Sequence, residues 1–249
     1  MPFGGTIVKN HHGEHVAVRD GVNSVSAELF RTLRTNIRFM QPKDVKCPVV
    51  LVTSSMNGEG KSYVSTNLAI SLTLLGKRVA LVGLDIRKPM LATYMELPNQ
   101  GCLTSYIAED AYTVDDLIVP SGINNLDVLP SGVVPPNPSE LLQSEKLDQL
   151  FVELRQNYDY VIVDTPPLGL VIDCATIAKN CDSAIMVISV GRIRYKQALR
   201  TKAQLEKSGC KILGVVLNHI EKRGERYYKK YNKRYYGKGY YTPYDDRKN

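Results

Sequence analysis

A glycine-rich segment from Ser55 to Ser62, with a lysine and a serine at its end, could bind phosphate groups. It follows the pattern G-x-x-x-x-G-K-[ST] of phosphate-binding loops (P-loops) except at the first position, where the chain has Ser55. In such loops glycines let backbone N–H groups converge on phosphate oxygens, the lysine neutralises phosphate charge, and the hydroxyl ligates Mg²⁺. A glycine-rich loop without nucleotide is the alternative interpretation. The predicted nucleotide-binding residues are Asn57, Gly58, Glu59, Gly60, Lys61, Ser62 and Tyr63.

Two aspartates follow apolar segments, and both could hold a magnesium ion. Asp164 ends the run Tyr160–Val163, and Asp85 follows the run Leu81–Leu84. In P-loop proteins an acid at the carboxyl end of a strand holds Mg²⁺, usually through water, opposite the P-loop hydroxyl. A helix-capping aspartate is the alternative for Asp164. Since ligands of open α/β sheets bind at the carboxyl ends of the strands, we expect one site for the side chains of Lys61, Ser62, Asp85 and Asp164.

The elements that position these residues are short apolar runs alternating with helical patterns. Runs rich in Val, Ile and Leu are typical of strands buried on both faces. Helical patterns end at Gly76 and cover residues 141–154, whereas residues 95–138 predict only short helices and loops. This alternation predicts an α/β fold, a mostly parallel sheet with helices on both faces. The runs lie at residues 49–52, 79–82, 160–163, 184–188 and 212–217.

The chain divides into an irregular N-terminal arm (1–23), a main domain (24–220) and a flexible basic tail (221–249). From Ser24 to Met40 the spacing predicts an amphipathic helix, with Val25, Leu29, Leu33 and Ile37 on its apolar face. The tail holds ten Lys/Arg and four Asp/Glu, a net charge of +6, whereas the remaining residues hold 22 and 21, a net of +1. Eight of the 15 tyrosines lie in the tail: Tyr227, Tyr228, Tyr231, Tyr235, Tyr236, Tyr240, Tyr241 and Tyr244.

Composition excludes several classes of protein. With 43% hydrophobic and 23% charged residues, the 249-residue chain is neither wholly disordered nor collagen-like nor a coiled coil. No apolar run approaches the roughly 18 residues of a membrane span, and we expect a soluble, unexported chain. The five cysteines are scattered singly, which predicts neither a disulfide framework nor a zinc site and favours a reducing cytoplasm.

Together these features resemble the bacterial tyrosine kinases (BY-kinases) of the capsular and exopolysaccharide regulatory family. The resemblance runs from about residue 24 to the end of the chain. It depends on the tyrosine cluster of the tail and on four motifs, which are Glu28-x-x-Arg31-x-x-Arg34-Thr35-Asn36, Gly58-Glu59-Gly60-Lys61-Ser62, Asp85-Ile86-Arg87-Lys88-Pro89 and Asp164-Thr165-Pro166-Pro167.

The resemblance implies a P-loop fold of the partitioning-ATPase type that uses ATP and Mg²⁺ to phosphorylate the tail tyrosines of a neighbouring subunit. Lys61, Asp85 and Asp164 would be catalytic, with Ser62 and both aspartates at the metal and Asn218 at the adenine base. Glu28, Arg31, Arg34 and Asn36 would pack subunits into a ring. A membrane adaptor, fused or separate, would hold the kinase at the inner face of the plasma membrane, where it would regulate capsule or exopolysaccharide synthesis or export. A phosphatase would oppose it, and no specific nucleic acid is expected.

One position departs from the family pattern. The second motif commonly carries two acids, D-x-D, and its first position is Gly83 here, so Asp85 is the only acid of that motif.

Two other functions stay open. A partitioning or division-site ATPase would carry a signature lysine where this chain has Met56, which disfavours that function. A non-catalytic binder of nucleic acid or anionic membrane would use the basic, aromatic tail.

Overall fold

The structure is a computed structural model that describes residues 3–8, 16–18, 25–41, 44–98, 103–109, 111–169 and 173–220. Ser24, His11, His12 and His15 lie outside these ranges. So does the whole segment 221–249, with its eight tyrosines. Within the described residues, no helix combines the length and the apolar composition that crossing a membrane requires.

The described chain forms one eight-stranded sheet in the order β1-β8-β7-β2-β6-β3-β5-β4. Every neighbouring pair is parallel except β4 and β5, which confirms the predicted mostly parallel sheet. The strands are β1 (Phe3–Val8), β2 (Val49–Ser54), β3 (Val79–Gly83), β4 (Val119–Pro120), β5 (Leu126–Leu129), β6 (Tyr160–Asp164), β7 (Ser183–Ser189) and β8 (Lys211–Ile220).

Helices cover both faces of the sheet, as predicted. One apolar cluster joins the sheet to α1, α2 and α3, and the other joins it to α4, α6, α7 and α8. The helices are α1 (Val25–Met40), α2 (Lys61–Thr73), α3 (Leu91–Tyr94), α4 (Leu103–Ala108), α5 (Pro138–Leu141), α6 (Glu145–Asn157), α7 (Asp173–Ala178) and α8 (Tyr195–Lys207), with one 3₁₀ turn at Asp115–Leu117.

Helix α2, which begins at the P-loop lysine, is buried almost all round because it lies between the sheet and α1. Its inward and outward sides are both covered, and some of its hydroxyls bond to carbonyls of the same helix: Ser65 Oγ donates to Lys61 O at 3.0 Å. On α1, Leu33 and Ile37 are buried as predicted, but Phe30 completes the apolar face, while Leu29 is only half-buried. The P-loop helix is thereby held rigidly from both sides.

Two regions differ from the sequence prediction. The N-terminal arm is not irregular throughout, since β1 adds a parallel edge strand beside β8. Further along the arm, the amides of Ala17 and Val18 donate to Asn67 Oδ1 at 2.6 and 3.1 Å. In the segment 95–138, predicted as short helices and loops, β4 and β5 extend the other edge of the sheet. Strand β5 pairs with β3, which is distant in sequence, and β4 has only two residues, so neither strand leaves a local pattern.

Candidate active site

The P-loop connects β2 to α2 and bends sharply at two glycines. Gly58 and Gly60 have φ angles of 76° and 91°, in the left-handed region that glycine adopts without strain. A Cβ atom on Gly60 would overlap the side-chain amide of Asn218. Glycine at this position therefore serves both the backbone turn and the close approach of β8.

Glu59, one of the predicted nucleotide-binding residues, has a fully buried carboxylate that accepts hydrogen bonds from protein amides. Glu59 Oε2 accepts from Met56 N at 2.7 Å, and Oε1 accepts from Ser189 N at 3.0 Å. The side chain thus ties the P-loop to the end of β7, and only its backbone is left to bind a phosphate.

The ends of β7 and β8 hold the P-loop backbone from the side. Asn218 is buried and its Nδ2 donates to Glu59 O at 2.9 Å, while Arg192 Nη1 donates to Gly58 O at 3.1 Å. Beside them, Ser189 Oγ lies 2.9 Å from His219 Nδ1. The expected contact of Asn218 with an adenine base stays a prediction. Its contact with the P-loop is additional, because the pairing of β8 with β7 brings Asn218 there.

Asp164 and Ser62 face each other across the P-loop helix and β6. Ser62 Oγ donates to Asp164 Oδ2 at 2.6 Å. Asp164 is almost fully buried, and in the described part of the chain its Oδ1 has no hydrogen-bond partner. Burial raises the pKa of Asp164 to about 6, against the opposing effect of the Lys61 ammonium.

Asp85 lies on the neighbouring strand end. Burial raises its pKa, again opposed by the charge of Lys61, and its Oδ1 accepts from Lys88 N at 3.1 Å. The backbone locks the two strand ends together, because Gly83 is paired with Asp164 and Leu84 N donates to Asp164 O at 2.7 Å. The structure therefore brings Lys61, Ser62, Asp85 and Asp164 to one edge of the sheet.

Gly83, where the family pattern has an acid, borders a closed space. A Cβ atom there would lie 3.1 Å from Ser131 Oγ, 3.2 Å from Leu91 Cδ2 and 3.3 Å from Ser131 N. Ser131 Oγ also donates to Gly83 O at 2.8 Å. A Cβ atom at this position would therefore fit only if Ser131 and Leu91 moved by a few tenths of an ångström.

A second polar cluster, which was not predicted from the sequence, fixes the segment after Asp85. Arg87 Nε donates to Asp173 Oδ2 at 2.5 Å, and Ser139 Oγ donates to Asp173 Oδ1 at 2.8 Å. The hydrogen bond with Asp173 raises the pKa of Arg87. The three residues come from segments that are distant in sequence. The motif that contains Arg87 is therefore the only sequence signal that indicates this cluster.

The donor set fits a magnesium ion and phosphate groups. Mg²⁺ prefers oxygen ligands, and Asp164 Oδ1 is a buried carboxylate oxygen without a protein partner in the described residues. Ser55 Oγ, at the first P-loop position, is likewise a buried oxygen that has no hydrogen-bond partner in the described residues. The side chain of Tyr63 does not belong to this set of oxygen donors, because its ring packs edge-on against Phe30 with the ring centroids 5.8 Å apart.

The predicted assembly residues lie on α1. Glu28 and Arg31 are paired at 2.9 Å, with the Glu28 side chain about half exposed. Arg34 instead donates to Ser71 O on α2 and is partly buried. Of the four predicted interface residues, Glu28 is exposed and Arg31, Arg34 and Asn36 are half-buried, while Arg34 also stabilises the subunit itself. The eight tail tyrosines lie outside the described residues.

Comparison with known proteins places these features in context. A profile of the ParA family, described as NUBPL iron-transfer P-loop NTPase, matches residues 45–239. Tyrosine-protein kinase CpsD of Streptococcus agalactiae is 38% identical over 210 residues, which are 83% of this chain and 90% of that protein.

Solved structures agree with the sequence comparison. The chimerical protein CapA2B2 superposes with a TM-score of 0.82 at 35% identity, covering 89% of this chain and 96% of that one. The kinase domain of the Escherichia coli tyrosine kinase ETK gives the same TM-score, 0.82, at 28% identity, covering 90% and 92%. The overall fold is therefore shared with a tyrosine kinase domain.

Proposed function

This chain belongs to the bacterial tyrosine kinases, a branch of the ParA-type P-loop NTPases, and we propose that its own C-terminal tyrosines are the substrate. The enzyme transfers the γ-phosphoryl group of ATP to a tyrosine hydroxyl. The acceptors lie in the tail of a neighbouring copy, at Tyr227, Tyr228, Tyr231, Tyr235, Tyr236, Tyr240, Tyr241 and Tyr244.

The observation that carries the proposal is the buried Oδ1 of Asp164, which lies beside Ser62 and the P-loop and has no hydrogen-bond partner among the described residues. Ser62, Asp85 and Asp164 would hold Mg²⁺, which neutralises charge on the transferred phosphoryl group when bound. The backbone of residues 57–62 would bind the phosphates. Lys61, itself nearly buried, supplies the fixed positive charge against them.

Asp85 is suited to accept the proton of the attacking tyrosine. A tyrosine hydroxyl has an ordinary pKa of about 10 and must lose its proton during the reaction. The raised pKa of Asp85 makes it a stronger base than an exposed carboxylate. Because phosphoryl transfer has a loose transition state, positioning and electrostatics dominate, and one acid in this motif is enough.

The competing functions find less support. An ATPase switch of the partitioning type needs a lysine at the position of Met56, and methionine carries no charge. Iron transfer is also disfavoured, since each of the described cysteines Cys47, Cys174, Cys181 and Cys210 is buried. Burial raises the pKa of Cys47 to about 11 and that of Cys210 to about 12, which keeps these thiols protonated.

The wider role follows from family membership. We propose that copies assemble into a ring through Glu28, Arg31, Arg34 and Asn36, held by a membrane adaptor at the inner face of the plasma membrane. The kinase would there regulate capsule or exopolysaccharide synthesis or export, opposed by a tyrosine phosphatase. The exposed ion pair of Glu28 and Arg31 supports an interface on α1.

The test separates kinase from substrate. A Lys61→Met chain is mixed with an active chain whose eight tail tyrosines are replaced by phenylalanine, Mg²⁺ and ATP are added, and phosphotyrosine is mapped by mass spectrometry. We expect phosphate on the tail of the Lys61→Met chain only when the active partner is present. Lys207→Met, on exposed α8 surface, is the control and should phosphorylate normally. Tail phosphorylation of Lys61→Met chains incubated alone would contradict the proposal.

A further inference from the structure

A group of exposed basic side chains, which we call the α8 patch, lies beside the P-loop. It consists of Arg192 and Arg194 in the loop after β7, and Lys196 and Arg200 in the first two turns of α8. Within the described part of the chain, none of the four forms an ion pair. By contrast, Lys202 further along the same helix is paired with Glu206.

Apolar surface lies within this patch. Tyr195 is 78% exposed and Leu199 is 42% exposed, one helical turn apart on α8. Charged groups that form no ion pair in the described residues, interleaved with an exposed aromatic ring, form a surface able to bind a peptide that carries both phosphates and aromatic rings. A surface that only kept the protein solvated would not need the exposed tyrosine.

The tail begins next to the α8 patch. Ser189 at the end of β7 is paired with Asn218, and Val190 N donates to Asn218 O at 3.0 Å. Strand β8 ends two residues later, at Ile220, on the same edge of the sheet as the P-loop. Ile220, the residue that precedes the tail, therefore lies at the end of the strand beside the loop that carries Arg192 and Arg194.

The tail contains two parts of opposite character. Residues 221–234 hold seven Lys/Arg and two Asp/Glu, a net charge of +5. Residues 235–246 hold one lysine and two aspartates, a net of −1, together with five of the tyrosines. Each phosphate adds about −1.5 to −2 charges, so five would add about −7 to −10. Phosphorylation therefore makes the second part complementary to the α8 patch.

We propose that the α8 patch binds the phosphorylated segment 235–246 of this chain. The guanidinium groups of Arg192, Arg194 and Arg200 can each bind a phosphate with two parallel hydrogen bonds. Residues 221–234 provide the connection, since fourteen residues can span up to about 46 Å when extended. The inference rests on the proposed function, because it takes the tail tyrosines as the acceptors. It adds that the tail, once phosphorylated by a neighbouring copy, is held beside the P-loop of its own chain.

A synthetic peptide tests the binding independently of whether the chain phosphorylates itself. The full chain is treated with a tyrosine phosphatase and kept free of ATP. Fluorescence anisotropy then compares labelled peptides of residues 235–246 with all five tyrosines phosphorylated or with none. We expect at least tenfold tighter binding of the phosphorylated peptide, with the difference decreasing as salt rises. Equal affinity of the two peptides would overturn the proposal, whatever the kinase assay shows.

Variants locate the site. Arg194→Glu with Arg200→Glu should weaken binding of the phosphorylated peptide at least tenfold. The control is Lys46→Glu with Lys207→Glu, which changes the net charge equally at exposed positions away from the patch and should have a small effect. Thermal unfolding verifies that both double variants fold, and Arg194→Gln with Arg200→Gln gives a milder change if they do not.

Two further results would contradict the proposal. One is an equal loss of peptide binding in the patch and control variants, since binding would then follow net charge alone. The other is a patch variant that binds the peptide normally but loses binding to vesicles containing phosphatidylserine. That second result would assign the patch to a membrane surface instead.

Discussion

At the scale of single residues, Glu59 shows how a P-loop side chain can shape the loop without touching the ligand. Its two oxygens accept from the amides of Met56 and Ser189, inside the protein. The carboxylate thereby fixes the start of the P-loop relative to β7. A buried acceptor that loses a partner costs about 1–3 kcal/mol, so this residue is a sensitive point of the site.

We predict that Glu59→Gln raises the dissociation constant for ATP by roughly 5- to 100-fold, which corresponds to about 1–3 kcal/mol. The glutamine amide would place an N–H₂ group against a backbone N–H and shift the loop. Isothermal titration calorimetry measures the affinity, and kinase assays at saturating ATP should show a smaller loss than assays at low ATP. Glu109→Gln, at an exposed position, is the control. Unchanged ATP affinity in Glu59→Gln would show that the loop holds its shape without this carboxylate.

Asp164, the proposed magnesium ligand, is a buried carboxylate whose charge lowers the stability of the nucleotide-free protein. Its pKa is raised to about 6 by burial, whereas in the unfolded chain an aspartate has a pKa of about 3.9. The folded state therefore holds a proton between about pH 4 and pH 6 that the unfolded state has lost. As pH rises through this window, the folded state loses stability, because the charge becomes buried.

We predict that Asp164→Asn stabilises the nucleotide-free protein by about 2–3 kcal/mol at pH 7.5, and that this difference disappears near pH 4. Thermal or urea unfolding of both proteins at several pH values measures it. With ligand bound, the wild type should become the more stable of the two proteins, because Mg²⁺ and ATP should stabilise it far more than the variant. EDTA should remove most of that effect. A difference in stability that does not change with pH would contradict the assignment of the raised pKa to Asp164.

At the scale of elements, the ends of β3 and β6 form one unit. Their register places Gly83 beside Asp164, and the segment after β3 is held by Arg87, Asp173 and Ser139. The space next to Gly83 is taken by Ser131 and Leu91. A carboxylate cannot be added here without moving the segment after β5, so the absent acid is a property of this packing as well as of the sequence.

We predict that Gly83→Asp does not raise tyrosine phosphorylation and lowers stability by about 1–3 kcal/mol, because the added atoms overpack the site. Gly83→Ala is the matched control, since it introduces the same Cβ atom without a charge. Urea unfolding and tail phosphorylation are measured for both. If Asp85 carries the role alone, Asp85→Ala should be inactive, and Gly83→Asp should not rescue it. Higher activity in Gly83→Asp than in Gly83→Ala would show instead that the missing acid limits catalysis.

At the scale of the whole molecule, α1 both packs on the P-loop helix and presents charged groups outward. Arg34 bonds to the backbone of α2, whereas Glu28 and Arg31 pair with each other at the surface. Phe39, near the end of the same helix, is 83% exposed. An interface on α1 would therefore be coupled to the position of α2 and of the P-loop at its start.

We predict different effects for the arginines of α1. Arg31→Ala should reduce oligomer mass in light scattering and lower phosphorylation between chains, with stability of the subunit changed by less than about 1 kcal/mol. Arg34→Ala should do the same and also destabilise the subunit by about 1 kcal/mol or more, because Ser71 O loses a charged donor. The control is Lys207→Ala, at an exposed position on α8, which packs on the opposite face of the sheet from α1. A native chain that stays monomeric at high concentration, with and without its adaptor, would contradict the ring.

The sequence by itself determined the fold class, the P-loop and the family. These features depend on local patterns: the apolar runs of β2, β3, β6 and β7 are continuous because both faces of each strand are buried. Gly60, Lys61 and Ser62 are adjacent in the chain, so their spacing alone predicts phosphate binding. Asp85 and Asp164 could be assigned to one edge because parallel strands end there together.

Only the tertiary structure decided what is built from contacts between distant residues. The edge strand β1 and the strand β5 exist because β8 and β3 offer them partners, and their own residues show no strand pattern. Glu59 belongs to the interior because Ser189, 130 residues away, supplies an amide. The closed space at Gly83 and the exposed α8 patch likewise depend on packing across the fold. Sequence patterns report local periodicity, whereas these contacts arise only when separate elements are brought together.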